Sequence, residues 1–147
     1  FMQSKTHTGR FRPKNFKKYK GDSTKVYYRS SWERRFMVFC DESPNIVQWS
    51  SEELVIPYRS PVDRKVHRYF PDFFIKKVTR DGTIVCEVIE VKPKRQLSPP
   101  KKPQRQTKRY LNEVVTYAIN QEKFRAAEEY CKDRKFNFRI LTEDHLT

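Results

Sequence analysis

Pro71-Asp72 is followed, across one hairpin, by Glu90-Val91-Lys92. Two carboxylates and a lysine at neighbouring strand ends suit the hydrolysis of a phosphodiester with a divalent metal. Carboxylates are hard oxygen ligands of the kind Mg²⁺ takes, and Mn²⁺ is the alternative ion. Such a cation polarises a phosphate and lowers the pKa of its water. Lys92 adds a compact positive charge beside the water or the phosphate. The carbonyl of Val91, between Glu90 and Lys92, is a candidate further ligand.

Glu90 and Lys92 stand two apart on a strand, so they face the same way. Residues 83–92 are apolar enough for a strand covered on both faces. A glutamate and a lysine in such a run need a reason. Asp72 joins their face only in one hairpin register. A two-residue Asp81-Gly82 loop sets Asp72 opposite Val91 and turns the carboxylates apart. A three-residue Arg80-Asp81-Gly82 loop, with Gly in the left-handed region and a bulge, sets Asp72 opposite Glu90. The second arrangement is expected.

Glu33 is a fourth site candidate, as a metal ligand or a support to one. Its competing role is structural, because Ser30 to Glu33 also fits a capping box. Glu52 and Glu53 precede a strand and are lesser candidates for the same cleft. His67 and Tyr69 are placed either to touch nucleic acid or to pack.

The elements that must position these residues follow from periodicity. Trp32, Phe36, Phe39 and Cys40 make an apolar helical stripe. Ser30 or Ser31 caps that helix, and Pro44 ends it near Glu42. Short strands are expected at 46–49 and 53–58, and a longer one at 66–79, broken near Pro71. Residues 93–107 are a Pro-, Lys- and Arg-rich loop. Helical pattern runs over 106–135, with a break expected near Asn120, where the apolar stripe drifts. Residues 136–141 are a last strand. Helix, strands, helices, strand argues for an α/β or α+β domain, with a mixed sheet flanked by helices. One domain over 26–147 accounts for it, preceded by a basic, extended and mobile arm at 1–25 that orders on nucleic acid.

The formal net charge of +14 is unevenly placed. Residues 1–25 hold eight Lys/Arg and one acid, and residues 92–109 hold eight and none. The remaining segments are close to neutral. A polyanion partner explains this better than solubility does. Arg10, Arg12, Lys14, Lys17 and Lys18 in the arm, and Lys94, Arg95, Lys101, Lys102 and Arg105 in the loop, are the expected DNA contacts. Lys108 and Arg109 extend that set. Neither segment has an apolar helical face, so a membrane surface is not the expected partner. Cys40, Cys86 and Cys131 show no C-x-x-C spacing, so a zinc ribbon is unsupported and buried thiols in a reducing compartment are expected.

At Asp72, Glu90 and Lys92 the sequence resembles the PD-(D/E)XK nuclease superfamily. That resemblance implies a restriction-endonuclease-like mixed sheet and Mg²⁺-dependent cleavage. YRSSWERRF, SSEELVIPY, HRYFPDFFI, EVIEVKPKRQ and AINQEKFRAAEEYC together resemble the head completion nucleases of T-even-like tailed phages and, more distantly, the TnsA-like transposon endonucleases. The TnsA-like group implies a site glutamate on the helix before the PD motif, and Glu33 is the matching position. The phage resemblance implies DNA cutting late in virion assembly, in the host cytoplasm or the virion, with head, portal or neck proteins as partners. Two rivals stand beside this reading: a non-catalytic DNA-binding neck or plug protein, and a transposition endonuclease.

Overall fold

Two clusters of apolar side chains, one on each face of a mixed sheet, account for the architecture. The computed structural model describes residues 8–146. In chain order the elements are β1 (Gly9–Arg10), β2 (Tyr27–Tyr28), α1 (Ser31–Glu42), β3 (Ile46–Ser51), β4 (Ile56–Arg59), β5 (Val66–Tyr69), β6 (Phe73–Val78), β7 (Ile84–Val91), α2 (Lys108–Arg134), β8 (Asn137–Leu141) and α3 (Glu143–Leu146). Single 3₁₀ turns lie at Phe16–Lys18 and Lys94–Leu97.

The central sheet has the order β3-β6-β7-β8. β3 and β7 run antiparallel to β6, and β8 runs parallel to β7. This is the mixed sheet expected from the sequence. Alternation along β6 and β7 divides their side chains between two layers. Phe73, Ile75, Ile89 and Val91 pack with Phe36, Met37 and Cys40 of α1. Phe74 and Val88 pack with Ala127 and Cys131 of α2 and with Ile56, Tyr58 and Tyr69 of β4 and β5.

α1 begins where the sequence indicates. The Ser30 hydroxyl accepts from the Glu33 N–H at 3.1 Å, a cap of the kind that stabilises by about 1 kcal/mol. α2 differs from expectation: it is one unbroken helix of 27 residues. Asn120 is buried within it rather than capping a second helix. Leu111, Val114 and Val115 are exposed, and packing against the body begins near Ala118. The drift of the stripe marks where the helix meets the domain, not where it ends. Lys135, in the left-handed conformation, closes its C-terminus.

The N-terminal segment also departs from expectation. From β1 onward it is docked rather than loose. Phe11 and Tyr19 are buried edge-on against Trp49, at ring separations of 5.9 and 4.8 Å. The buried Asp41 carboxylate accepts from the Lys14 and Asn15 N–H groups, each at 2.9 Å. Residues 1–7, where the expected arm begins, lie outside the described residues. Cys40 and Cys131 are buried and Cys86 half-buried, all as free thiols. Among the described residues no helix is long and apolar enough to cross a membrane.

Candidate active site

β6 and β7 pair Phe73 with Ile89, Phe74 with Val88 and Val78 with Ile84. Continuing that register by one step sets Asp72 opposite Glu90. The loop that fixes it spans Arg80 to Gly82. The Thr79 N–H donates to the Thr83 carbonyl at 2.8 Å, and the Gly82 N–H to the Thr79 carbonyl at 3.0 Å. Gly82 has φ +84°, the left-handed value this bulged loop requires. Asp81 accepts from the Thr83 N–H at 3.1 Å and from the Thr79 hydroxyl, which holds the turn shut. The register is the one expected from the sequence.

Asp72 and Glu90 therefore meet on the α2 face of the sheet. The Val91 N–H donates to Asp72 Oδ2 at 2.7 Å. The Tyr69 hydroxyl and the Asp72 N–H donate to Glu90 Oε1, at 2.7 and 3.3 Å. Lys92 Nζ lies 3.5 Å from Glu90 Oε2. Each carboxylate is thus oriented through one oxygen. Among the described residues Asp72 Oδ1 accepts no hydrogen bond, and Glu90 Oε2 has only the lysine.

The electrostatics call for a cation. Burial, and after it the charge of Glu90, push the Asp72 carboxyl well above its ordinary range, against the Val91 N–H. Burial also raises Glu90, offset by Lys92 and the Tyr69 hydroxyl. Two desolvated carboxylates facing each other are costly when both are ionised. A divalent ion held by the pair would relieve that cost. Two carboxylates are also what Mg²⁺ takes when substrate phosphate and water complete its shell. The donor set fits such an ion.

The wider ligand set expected from the sequence is not brought together as a cage. Among the described residues no three His, Cys, Asp or Glu side chains are grouped closely enough to hold a metal. Glu33 stands on α1, in the opposite layer from Glu90. Its Oε1 accepts from the Arg29 N–H at 3.0 Å, which holds it to capping. Burial raises its carboxyl, and the charges of Glu52 and Glu90 add to that, so it lies within electrostatic reach of the pair. Val91 contributes an N–H to Asp72, and its side chain enters the α1 core. Glu52 pairs with Arg29 at 2.9 Å. Its backbone has φ +54°, and its N–H donates to the Asp72 carbonyl at 3.1 Å. A non-glycine residue in that region is strained; here the strain ties the end of β3 to the site. Glu53, exposed, hydrogen-bonds the Tyr19 hydroxyl at 3.1 Å instead of entering the cleft. Tyr69 packs and orients Glu90, whereas His67 is exposed and pairs with Asp63 at 2.8 Å.

One residue of this neighbourhood was not singled out in the sequence. Lys123, on α2, places Nζ 5.7 Å from the Tyr58 ring centre and 5.5 Å from that of Tyr69. Burial depresses its pKa, helped by Lys92 and opposed by Glu90 and Asp72. It therefore faces the carboxylate pair from the helix side. Its only sequence signal is a lysine on the half of α2 that packs.

The expected DNA contacts divide. Arg10, Arg12, Lys14 and Lys17 are exposed on the docked segment. Lys18 is instead a tether: Nζ donates to the Asp41 and Ser43 carbonyls at 3.0 and 2.7 Å. Lys94 is tied to α3 through Asp144 at 3.1 Å. Arg95, Lys101, Lys102 and Arg105 are exposed. Arg95 and Lys101 line a groove of about 840 Å³ between the Pro-rich loop and α2, together with Lys108, Arg109 and Tyr117.

Comparison with known proteins shows the family to which the chain belongs. A family model described as the TnsA-like endonuclease N-terminal domain matches residues 43–143, which include Asp72, Glu90 and Lys92. The head completion nuclease of Enterobacteria phage T4 is 42% identical over 144 residues, covering 95% of this chain and 93% of that protein. The chain is thus a nuclease of the TnsA-like endonuclease family and a homologue of the T4 head completion nuclease.

Proposed function

We propose that this protein is a divalent-metal-dependent DNA nuclease, with Mg²⁺ the working ion, that cuts phage DNA as heads are completed and joined to tails. The convergence of Asp72, Glu90 and Lys92 on one sheet face carries the catalytic part. The similarity to the T4 protein supports the biological part.

Asp72 and Glu90 would hold the metal, with Glu33 on the α1 side a further candidate to support it. The bound cation supplies Lewis-acid polarisation of the scissile phosphate and a lowered water pKa. Lys92 positions the attacking water and offsets charge growing on the phosphate oxygens. Tyr69 keeps Glu90 in its rotamer. Arg10, Arg12, Lys14 and Lys17 on one side, and Arg95, Lys101, Lys102 and Arg105 on the other, grip the backbone of duplex DNA. Protein partners would come from the head, portal or neck.

The test uses linear and circular plasmid with Mg²⁺, Mn²⁺ or EDTA. The wild type is expected to cut only with metal, and Glu90→Ala not at all. Cutting in EDTA, or by Glu90→Ala at the wild-type rate, would refute the assignment. A non-catalytic plug protein would bind DNA and cut under none of these conditions.

A further inference from the structure

β4 and β5 form a two-stranded ribbon apart from the central sheet. They pair Ile56 with Tyr69, Pro57 with Arg68, Tyr58 with His67 and Arg59 with Val66. Alternation gives the ribbon two faces. Ile56, Tyr58 and Tyr69 turn inward and pack with α2. Arg59, Val66 and Arg68 turn outward, and Phe70 continues that row; all four are exposed, Val66 at 63% and Phe70 at 39%.

The outward row is cationic as well as apolar. Residues 56–70 carry four Lys/Arg against one acid, Asp63, and His67 holds that acid at 2.8 Å. Among the described residues Arg59, Arg64, Lys65 and Arg68 pair with no carboxylate. The Arg68 guanidinium lies over the Phe70 ring at 5.7 Å. Charge alone would suit a solvated face. Exposed valine and phenylalanine interleaved with arginine also suit a nucleic-acid surface, where apolar side chains can meet the thymine methyl group. The ribbon is also anchored at the chemistry: Tyr69 at its base donates to Glu90 at 2.7 Å, and Asp72 follows three residues later.

We propose that the outer face of this ribbon lies in the major groove of the DNA duplex beside the scissile phosphate and biases where the enzyme cuts. This rests on DNA being the substrate. The major groove of B-DNA admits a two-stranded β-ribbon, whose strands lie about 4.8 Å apart. Arginine forks match guanine O6 and N7, and apolar side chains meet the thymine methyl group. With α2 covering one face, the ribbon has one face to offer, and that face carries Arg59, Val66 and Arg68.

Binding in EDTA isolates the contact from cleavage. The probes are a duplex containing guanine and the same duplex with 7-deazaguanine, which removes N7 from the major groove and leaves the phosphates unchanged. The wild type is expected to bind the 7-deaza duplex about tenfold more weakly. Arg59→Ala/Arg68→Ala is expected to bind both duplexes alike, and Arg68→Ala alone to discriminate between them less than the wild type does. Sequenced cut positions on plasmid are expected to cluster at guanine-containing sites for the wild type and to spread for the variants. Equal wild-type affinity for the two duplexes would overturn the proposal without any variant having to fold. Guanine-sensitive binding by a wild type that never cuts with Mg²⁺ would instead sink the nuclease assignment and leave the ribbon contact standing.

Discussion

Asp72 stands one step beyond the β6–β7 ladder, at the position opposite Glu90, and the backbone N–H of Asp72 binds the Glu90 carboxylate while that of Val91 binds the Asp72 carboxylate. The pair is thereby held before any cation arrives. The cost appears as raised carboxyl pKa values in the metal-free protein.

That cost has a sign. A carboxyl whose folded pKa exceeds its unfolded value binds more protons folded than unfolded. Stability then falls as pH rises from the unfolded value, near 4, through the raised folded value. Asp72→Asn removes a charge from the pair. The metal-free variant is expected to be more stable than wild type at pH 7 by about 1 kcal/mol, or roughly 3 °C in Tm. Mg²⁺ is expected to raise the wild-type Tm at pH 7, to do so less in acid, and to leave the variant unmoved. Calorimetry across pH, with and without Mg²⁺, checks all three; a wild-type Tm indifferent to Mg²⁺ would count against the site.

Lys92 and Lys123 approach the pair from strand and helix. Removal of Lys92 is expected to lower the cutting rate by about 10²-fold or more, with DNA affinity kept within a few-fold. Lys123→Met is expected to cost about tenfold, because Lys123 faces the carboxylates across tyrosine rings rather than touching them. Single-turnover rates beside filter-binding affinities separate the two effects. Wild-type rates for Lys92→Ala would remove it from the mechanism.

Gly82 holds the loop that sets the register, and a Cβ there would meet nothing within 4 Å. The cost of Gly82→Ala is therefore conformational alone, about 1 kcal/mol from placing alanine at positive φ. Thermal unfolding is expected to show a loss of roughly 3 °C, with cutting retained because the pattern of buried residues still fixes the pairing.

Asp41 receives two backbone N–H groups of the N-terminal segment. Asp41→Ala leaves both without an acceptor and is expected to cost about 1–3 kcal/mol. Trypsin is expected to cut the variant sooner after Lys14 and Lys17, and amino-terminal sequencing of the first fragments reads this out. Cleavage kinetics identical to wild type would show that the segment is held without the Asp41 carboxylate.

Much of the fold was legible because its signals are local. The Ser30 cap, the Trp32–Cys40 stripe and Pro44 bound α1 within the chain itself. Asp81-Gly82 marked the turn but left two registers open, and the need for Asp72, Glu90 and Lys92 to share a face selected the three-residue loop that the structure has. What stayed hidden depends on distant partners. Nothing near Phe11 or Tyr19 announces Trp49, so the docked segment reads as a loose arm. Asn120 reads as a cap because its burial comes from tertiary packing, not from its neighbours in sequence. Glu33 suits both a cap and a ligand, and only the fold shows that α1 carries it in the other layer from Glu90 yet within reach of its charge. Lys123 and the β4–β5 ribbon reach the site through tertiary packing alone.

Pinning residues 9–20 onto Trp49 and Asp41 also changes the thermodynamics of meeting DNA. A floating polybasic tail loses its conformational freedom at the moment of contact. Here that loss belongs to folding, so the cations arrive already spaced. Titration calorimetry of duplex binding is accordingly expected to show a small heat-capacity change, without the large negative value that coupled folding brings.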